Sequence, residues 1–484
     1  MKKFLKVFLC VLLVIVIGAA IVVGPYAISF LPFKTDEDFD MHINDSRNPV
    51  YTNGKHKTFT INPSGKIKNG MIYTIDDPSV SWFNYYGIKY ATDCYFKGTI
   101  CYTTGLEEKT EDFFLEPTCG DIFDEEPDKG ELFYSFIDNC LSGAKANKLN
   151  WISFEPLDDE YGAIRIQKVA LFNREIPEQE IFIENGTHKL GIDLLWGGAL
   201  SYLEDLNSNV QAVSVDGQIK VDSNASERYK TEAVNKNVNL INRNDTGRLV
   251  QQSYYGTLDY DHGVYMDNDW RYNPVQGGNQ YNDHSKIVDL KITDNEIYVK
   301  CRPLDWAKEK EFITPSYMEA WYTIENGTVH TTCRFVDFSG YPEAESTQEI
   351  PAFYCVAPLE NFVYYAGDKP WTDDKLSYEK DLIFWPDAGY PHFYSKENWA
   401  AFTGEFDDSF GIGIYVSGEE EFLTGIYERG NTTNEDPSKD GPTSYIAITK
   451  TRTFKSFEPF SYEYYLATGN AQEIRNSFKE VAQK

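Results

Sequence analysis

Apolar and polar residues alternate with a period of two through much of the chain. Cys94, Phe96, Ile100 and Tyr102 fall on one side while Asp93, Tyr95, Lys97 and Thr99 fall on the other, the pattern of a half-buried strand. Phe410, Ile412, Ile414 and Val416 repeat it. Short runs of this kind, divided by turn formers and almost free of a 3.6-residue period, predict an all-β chain of antiparallel sandwiches or barrels. In "SYMEAWYTIENGTVHTTCRFV" the Asn326-Gly327 pair predicts a tight hairpin, because both turn positions require positive φ. That register sets Ile324 against Val329, Ala320 against Cys333 and Met318 against Phe335. The opposite face then carries Tyr317, Glu319, Trp321 and Thr323, with Arg334 across from Glu319 and His330 across from Thr323. A second hairpin, "IVDLKITDNEIYVKC", turns at Asp294-Asn295 and sets Val288, Leu290 and Ile292 beside Ile297, Val299 and Cys301.

Two segments break the period-two pattern. Near the start, Lys2, Lys3 and Lys6 precede an uncharged apolar run from Val7 to about Phe33, long enough to cross a bilayer, for which about 20 residues suffice. Residues 1–33 are expected to form a single-pass transmembrane anchor in the cell membrane, with the acidic bulk extracellular by the positive-inside bias. The alternative is a secretory signal peptide, cleaved near Ala19-Ala20 to release a secreted protein. At the other end, "NAQEIRNSFKEVAQK" predicts a short helix. Asn470 caps it, Glu473 completes a capping box, and Ile474, Phe478 and Val481 share one face. A domain boundary is expected near Pro177, between a β-rich block at 45–176 and a larger one at 177–484.

The formal net charge of −30 changes the choice of partner. Such a surface repels polyanions, so nucleic acid is not expected as a partner and neutral glycans fit better than acidic ones. Seven cysteines follow the apolar run without any CxxC spacing, which argues against a zinc site. Cys119 and Cys140 are placed to close a loop in an oxidising compartment. No metal or other cofactor is expected. Calcium is the alternative, because "DYDHGVYMDNDW" and "YNDHSKIVD" supply Asp and Asn oxygens, though without a recognisable loop spacing.

The stretch "HKLGIDLLWGGALSYLEDL" resembles the first hairpin of the galactose-mutarotase-like supersandwich, and "FEPFSYEYYLATGNAQEIR" resembles that fold's last strand before a terminal helix. The resemblance covers residues 180 to 480 and implies a large antiparallel supersandwich of the carbohydrate-active type. The first block resembles the β jelly-roll modules that precede such domains. The Tyr/His/Asn set of the hyaluronate-type lyases has no residue-by-residue match here.

Sugar recognition needs side chains that bond vicinal hydroxyls beside aromatic faces for the apolar ring surface. "NDTGRLVQQSYYG" offers Asp245, Arg248, Gln252 and Tyr254. An extended strand puts Arg248, Val250, Gln252 and Tyr254 on one face, and Leu249, Gln251, Ser253 and Tyr255 on the other. The plainer alternative is a solvent-facing polar strand. "WRYNPVQGGNQYND" reads as a loop in which Trp270 and Tyr272 stack on a ring while Asn273, Gln276 and Asn279 bond hydroxyls; its glycines alternatively only shape a turn. Trp321 is a further stacking candidate.

Hydrolysis of a glycosidic bond needs two carboxyl groups, for which Glu349, Asp245 and Glu319 are candidates; Glu319 has the alternative of a cross-strand ion pair with Arg334. A lyase would need a base, from His262, His284 or His330, with Arg248 neutralising a uronate. The sequence thus leads to a membrane-anchored extracellular carbohydrate-active protein that cleaves a neutral glycan. The alternatives are a polysaccharide lyase and a non-catalytic glycan-binding or structural surface protein.

Overall fold

The computed structural model describes residues 50–52, 57–60 and 83–484, apart from 123–125, 136–140, 159–161, 310–311, 326, 385–390 and 405–409. The expected anchor at 1–33 and the Cys140 half of the expected Cys119–Cys140 bridge lie outside the described residues. Among those described, no helix is long and apolar enough to cross a membrane. The chain divides into two compact units, Met1–Pro177 and Glu178–Lys484.

The first unit is a two-sheet antiparallel sandwich. Val50–Thr52, Lys57–Thr60, Tyr85–Thr92, Gly130–Ser135 and Ala163–Phe172 make one sheet, and Phe96–Thr104, Glu107–Leu115 and Lys148–Pro156 make the other. Aromatic side chains fill the space between them. Tyr86 stacks on Tyr134 at 5.5 Å, and Phe113 of the facing sheet meets Tyr86 edge-on at 5.5 Å, an arrangement that suits the ring quadrupoles.

The second unit pairs two larger antiparallel sheets, and neither closes into a barrel. One runs His392–Tyr394, Glu421–Tyr427, Thr443–Phe454, Ala344–Val356, Val250–Ser253, Ala199–Asp205, His188–Asp193, Glu180–Glu184 in spatial order. The other centres on Ser316–Glu325, Thr328–Asp337 and Phe460–Gly469. The Ser316–Glu325 hairpin has the register read from its turn, with Ile324 opposite Val329, Ala320 opposite Cys333 and Met318 opposite Phe335. Its apolar face points inward, where Tyr254 of the first sheet stacks on Phe335 at 4.3 Å.

The C-terminal helix Ala471–Ala482 carries the Asn470–Glu473 capping box. Ile474 and Phe478 are fully buried beside Trp399 and Tyr415, worth about 1.5–3 kcal/mol per side chain. A polar clamp adds to this apolar seam. Arg475 reaches into the core and bonds the enclosed Glu397 carboxylate twice, at 2.6 and 2.9 Å, while Trp399 Nε1 donates to the same group at 2.9 Å.

Candidate functional site

A cavity of about 530 Å³ opens on the face of the larger sheet that points away from its partner sheet. The first cause of its chemistry is a break in strand alternation. Leu249 has φ 79°, a left-handed conformation that a branched residue adopts only at a cost, and the strand starts at Val250. From there Val250, Gln252 and Tyr254 turn inward between the sheets, and Gln251, Ser253 and Tyr255 turn to the cavity. The second cause is a bulge in Ala344–Val356. Glu349 pairs with Thr449 but Ala352 pairs with Ala447, so one extra residue is absorbed at Ile350-Pro351, where proline has no N–H for the ladder. Glu349, Ala352 and Tyr354 therefore all face the cavity, with Ser253 directly across from Glu349.

Aromatic rings wall the cleft on two sides. On one side Tyr265 lies edge-on to Trp270 at 5.0 Å and to Trp306 at 5.8 Å. Tyr265 and Trp270 sit on a small hairpin, Gly263–Tyr265 with Asn268–Trp270, separate from both large sheets. On the other side Tyr354 packs 4.5 Å from Tyr445, and Phe384 lies 5.0 Å from Tyr445 and 4.8 Å from Tyr427. Between the walls, Asn273 donates to Ser253 Oγ at 3.2 Å and accepts from Trp270 Nε1 at 3.1 Å. It fixes the tryptophan against the floor.

Glu349 is the one carboxylate among the described lining residues. Its Oε1 accepts the phenol protons of Tyr445 at 2.7 Å and Tyr255 at 3.2 Å. Desolvation pushes its carboxyl above the usual carboxylate range, while the two phenol bonds act to lower it. The group is thus disposed to hold a proton and to exchange it with a bound oxygen or nitrogen.

The other sequence candidates are distributed widely. Gln252 and Tyr254 are enclosed between the sheets: Gln252 Nε2 donates to the Glu319 carbonyl at 2.9 Å and Tyr254 Oη donates to Gln252 Oε1 at 2.9 Å. This reverses the face assigned to them, because the assignment carried strand geometry back through Leu249. Arg248 lies behind the cleft, its guanidinium 5.5 Å from the Tyr354 ring and 5.2 Å from that of Tyr427. Asp245 closes an Asx turn by accepting from Gly247 N at 2.9 Å, and its side chain is not in the lining.

In the "WRYNPVQGGNQYND" segment, Trp270 and Asn273 reach the cleft. Tyr272 is buried and donates to Asp337 at 2.8 Å. Gln276 and Asn279 are also buried, spending their amides on the Gly197 carbonyl at 3.1 Å and on Asp283 at 2.9 Å. The segment is partly stranded, with Val275 paired to Ser253. Gly277 is required there because a Cβ would stand 2.5 Å from the Thr246 carbonyl, and its N–H bonds Gln251 Oε1 at 2.7 Å.

Glu319 belongs to the other sheet. Tyr298 donates to it at 2.8 Å and Arg334 at 2.7 Å, with Lys300 at 3.7 Å. Burial acts to raise its carboxyl, but Lys300 and Arg334 outweigh burial and hold it below the ordinary range. It is therefore a paired structural carboxylate. Trp321 and His330 share a shallow depression on that same outer surface, where His330 stacks on Tyr465 at 4.4 Å and contacts Glu463 at 3.2 Å. His262 is an exposed partner of Asp269 at 3.1 Å, and His284 is exposed at a bridge to Gly278. None of the three histidines lines the cleft. Asp261 in the first calcium candidate run pairs with Lys308 at 2.8 Å, and among the described residues no group of three His, Cys, Asp or Glu side chains is placed to hold a metal.

The sequence reading missed Ser253, Tyr255, Tyr265, Trp306, Tyr427 and Tyr445. Tyr255 was within reach of the opposite strand phase; Trp306 and Tyr445 arrive from distant segments and carried no local signal.

Two open antiparallel sheets with a cleft on one outer face define the second unit as a β sandwich. The chain matches no family model and no curated protein in sequence. Among solved structures it is similar to a galactose mutarotase related enzyme from Lactobacillus acidophilus, at 11% identity over 61% of this chain and 99% of that chain, TM-score 0.36. It is also similar to a galactose mutarotase-like protein from Clostridium acetobutylicum, at 13% identity over 60% of this chain and 95% of that chain, TM-score 0.33. A GH36 α-galactosidase from Geobacillus stearothermophilus is similar at 10% identity over 60% of this chain and 40% of that chain, TM-score 0.32. The chemistry of the cleft stands on its own residues.

Proposed function

We propose that the second unit binds a carbohydrate without acidic groups in the cleft, and that Glu349 transfers a proton there. The observation that carries this reading is a carboxyl with two phenol donors, set between aromatic walls in a cavity of about 530 Å³. Rings such as Trp270 and Tyr354 suit the apolar faces of a pyranose, and the volume falls within the range of about 300–1,000 Å³ of small-molecule sites. Glycosidic cleavage by a carboxyl pair is the second reading. It draws support from the raised Glu349 carboxyl, which has the character of a general acid, but Asp245 and Glu319 are not its partners. We further propose that the N-terminal apolar run anchors the chain with its bulk outside the cell, which membrane fractionation with protease accessibility tests directly.

The test of function uses the full chain and a panel of neutral and acidic oligosaccharides. Binding is followed by calorimetry, turnover by new reducing ends and by the absorbance of unsaturated uronates. Glu349→Gln is expected to retain binding and to lose any turnover. Absence of binding across the panel would overturn the carbohydrate reading, and unchanged turnover in Glu349→Gln would remove the carboxyl from the chemistry.

A further inference from the structure

We propose that the cleft selects a sugar bearing a protonated amine, an amino sugar whose nitrogen is not acylated, over neutral and N-acetylated sugars. This deepens the carbohydrate reading and rests on it. The described lining contains one acid, Glu349, and no Lys, Arg or His. Elsewhere in the same unit, two enclosed glutamates have cationic partners, while Asp337 is closed off in the interior by the hydroxyls of Tyr272, Ser339 and Ser456. Glu397 is held by Arg475 at 2.6 Å, and Glu319 by Arg334 at 2.7 Å with Lys300 at 3.7 Å. Among the described residues, Glu349 has the neutral phenols of Tyr255 and Tyr445 and no cation. A desolvated carboxylate without a counter-ion is costly, so Glu349 keeps its proton until a cation is placed beside it.

The walls are suited to supply the rest of a cation site. Tyr354, Tyr427, Tyr445 and Phe384 cluster beside Glu349 with centroid separations of 4.5 to 6.4 Å, and aromatic faces attract cations by their quadrupoles. Two of these rings already do so. The Arg248 guanidinium lies 5.2 Å from Tyr427 and 5.5 Å from Tyr354. Arg248 makes no ion pair with Glu349; its Nη2 donates to the Gly441 carbonyl at 3.5 Å. The net charge of −30 adds a long-range attraction for a cationic ligand.

An ammonium placed against Glu349 favours its ionised form. Below the raised carboxyl range, amine binding therefore releases the proton of Glu349, while the ligand nitrogen stays protonated. No covalent step is involved.

The test is calorimetric titration of the full chain with three oligomers of equal length: glucosamine, N-acetylglucosamine and glucose. The glucosamine oligomer is expected to bind at least about tenfold tighter than the other two, with proton release visible as a dependence of the heat on buffer ionisation enthalpy. Glu349→Gln is expected to erase the discrimination between the three oligomers. Trp321→Ala, on the other sheet, is expected to preserve it, which controls for effects of substitution in general. Equal affinity for all three oligomers would overturn this inference alone. Binding of none would overturn the carbohydrate reading and this inference together. Discrimination that survives Glu349→Gln would overturn its assignment to that carboxyl.

Discussion

Tyr254 and Tyr255 are neighbours in sequence on opposite faces of one sheet, so equal substitutions at the two should have opposite consequences. Tyr254 is fully buried, stacked on Phe335 at 4.3 Å and bonded to Gln252 at 2.9 Å. Truncation to alanine removes a whole ring from a packed interior that cannot fully collapse, at a cost of about 3–5 kcal/mol. With an unfolding entropy of about 2.1 cal/mol/K per residue, a unit of roughly 300 residues then loses about 5–8 °C in Tm. Tyr254→Phe keeps the ring and leaves Gln252 Oε1 without its donor, costing about 1–3 kcal/mol. Neither change touches the cleft directly. Tyr255→Phe keeps the cleft wall and removes one of the two phenol bonds to Glu349. Its effect on stability should stay within about 1 kcal/mol. Because that bond lowers the Glu349 carboxyl, losing it pushes the group further up and weakens any step that needs the carboxylate. Scanning calorimetry beside ligand titration separates the two residues. The face assignment fails if Tyr255→Ala destabilises more than Tyr254→Ala, or if Tyr254→Phe and Tyr255→Phe weaken ligand binding alike.

Three further outcomes are expected. Trp270→Ala should weaken sugar binding by about tenfold or more with little change in Tm, whereas Trp321→Ala should leave it unaltered; comparable losses in a titration would move the site to the other sheet. Arg475→Ala strands the enclosed Glu397 carboxylate and should cost about 3–5 kcal/mol in urea unfolding, partly recovered by adding Glu397→Gln; a cost under about 1 kcal/mol would show that the clamp is not needed. Asp305 is pushed by burial from 3.8 up to about 6, so the native state binds its proton more tightly than the unfolded chain. Its stabilising contribution is complete below pH 3.8 and is lost as pH rises through about 6, roughly 3 kcal/mol in all. Wild type should therefore lose about that much more stability than Asp305→Asn between pH 4 and 7, and parallel urea midpoints would refute the assignment.

The hairpin at Asn326-Gly327 was legible because its information is local. A turn with a strong φ requirement fixes the register, and the register fixes which side chains share a face. The same holds for the C-terminal helix, where a capping box and a three-residue apolar stripe suffice. The cleft follows a different logic. Its two decisive features are departures from regular strand geometry, the left-handed Leu249 and the bulge after Glu349, and each changes the parity of every residue beyond it. Strand alternation read through Leu249 sends Gln252 and Tyr254 outward; read from Val250, it sends Gln251, Ser253 and Tyr255 there.

Arg334 across from Glu319 shows the converse case. A cross-strand pair visible in sequence turned out to be an ion pair, which marks Glu319 as paired and therefore unavailable. Glu349 had no such partner in sequence and, among the described residues, meets no cation, only phenols from Tyr255 and the distant Tyr445. The residue that local pairing left unexplained is the one that long-range packing carried into the cleft. The two glutamates differ accordingly: Glu319 meets its cation within the ladder and serves the fold, while Glu349 takes neutral partners from distant strands and faces the cleft.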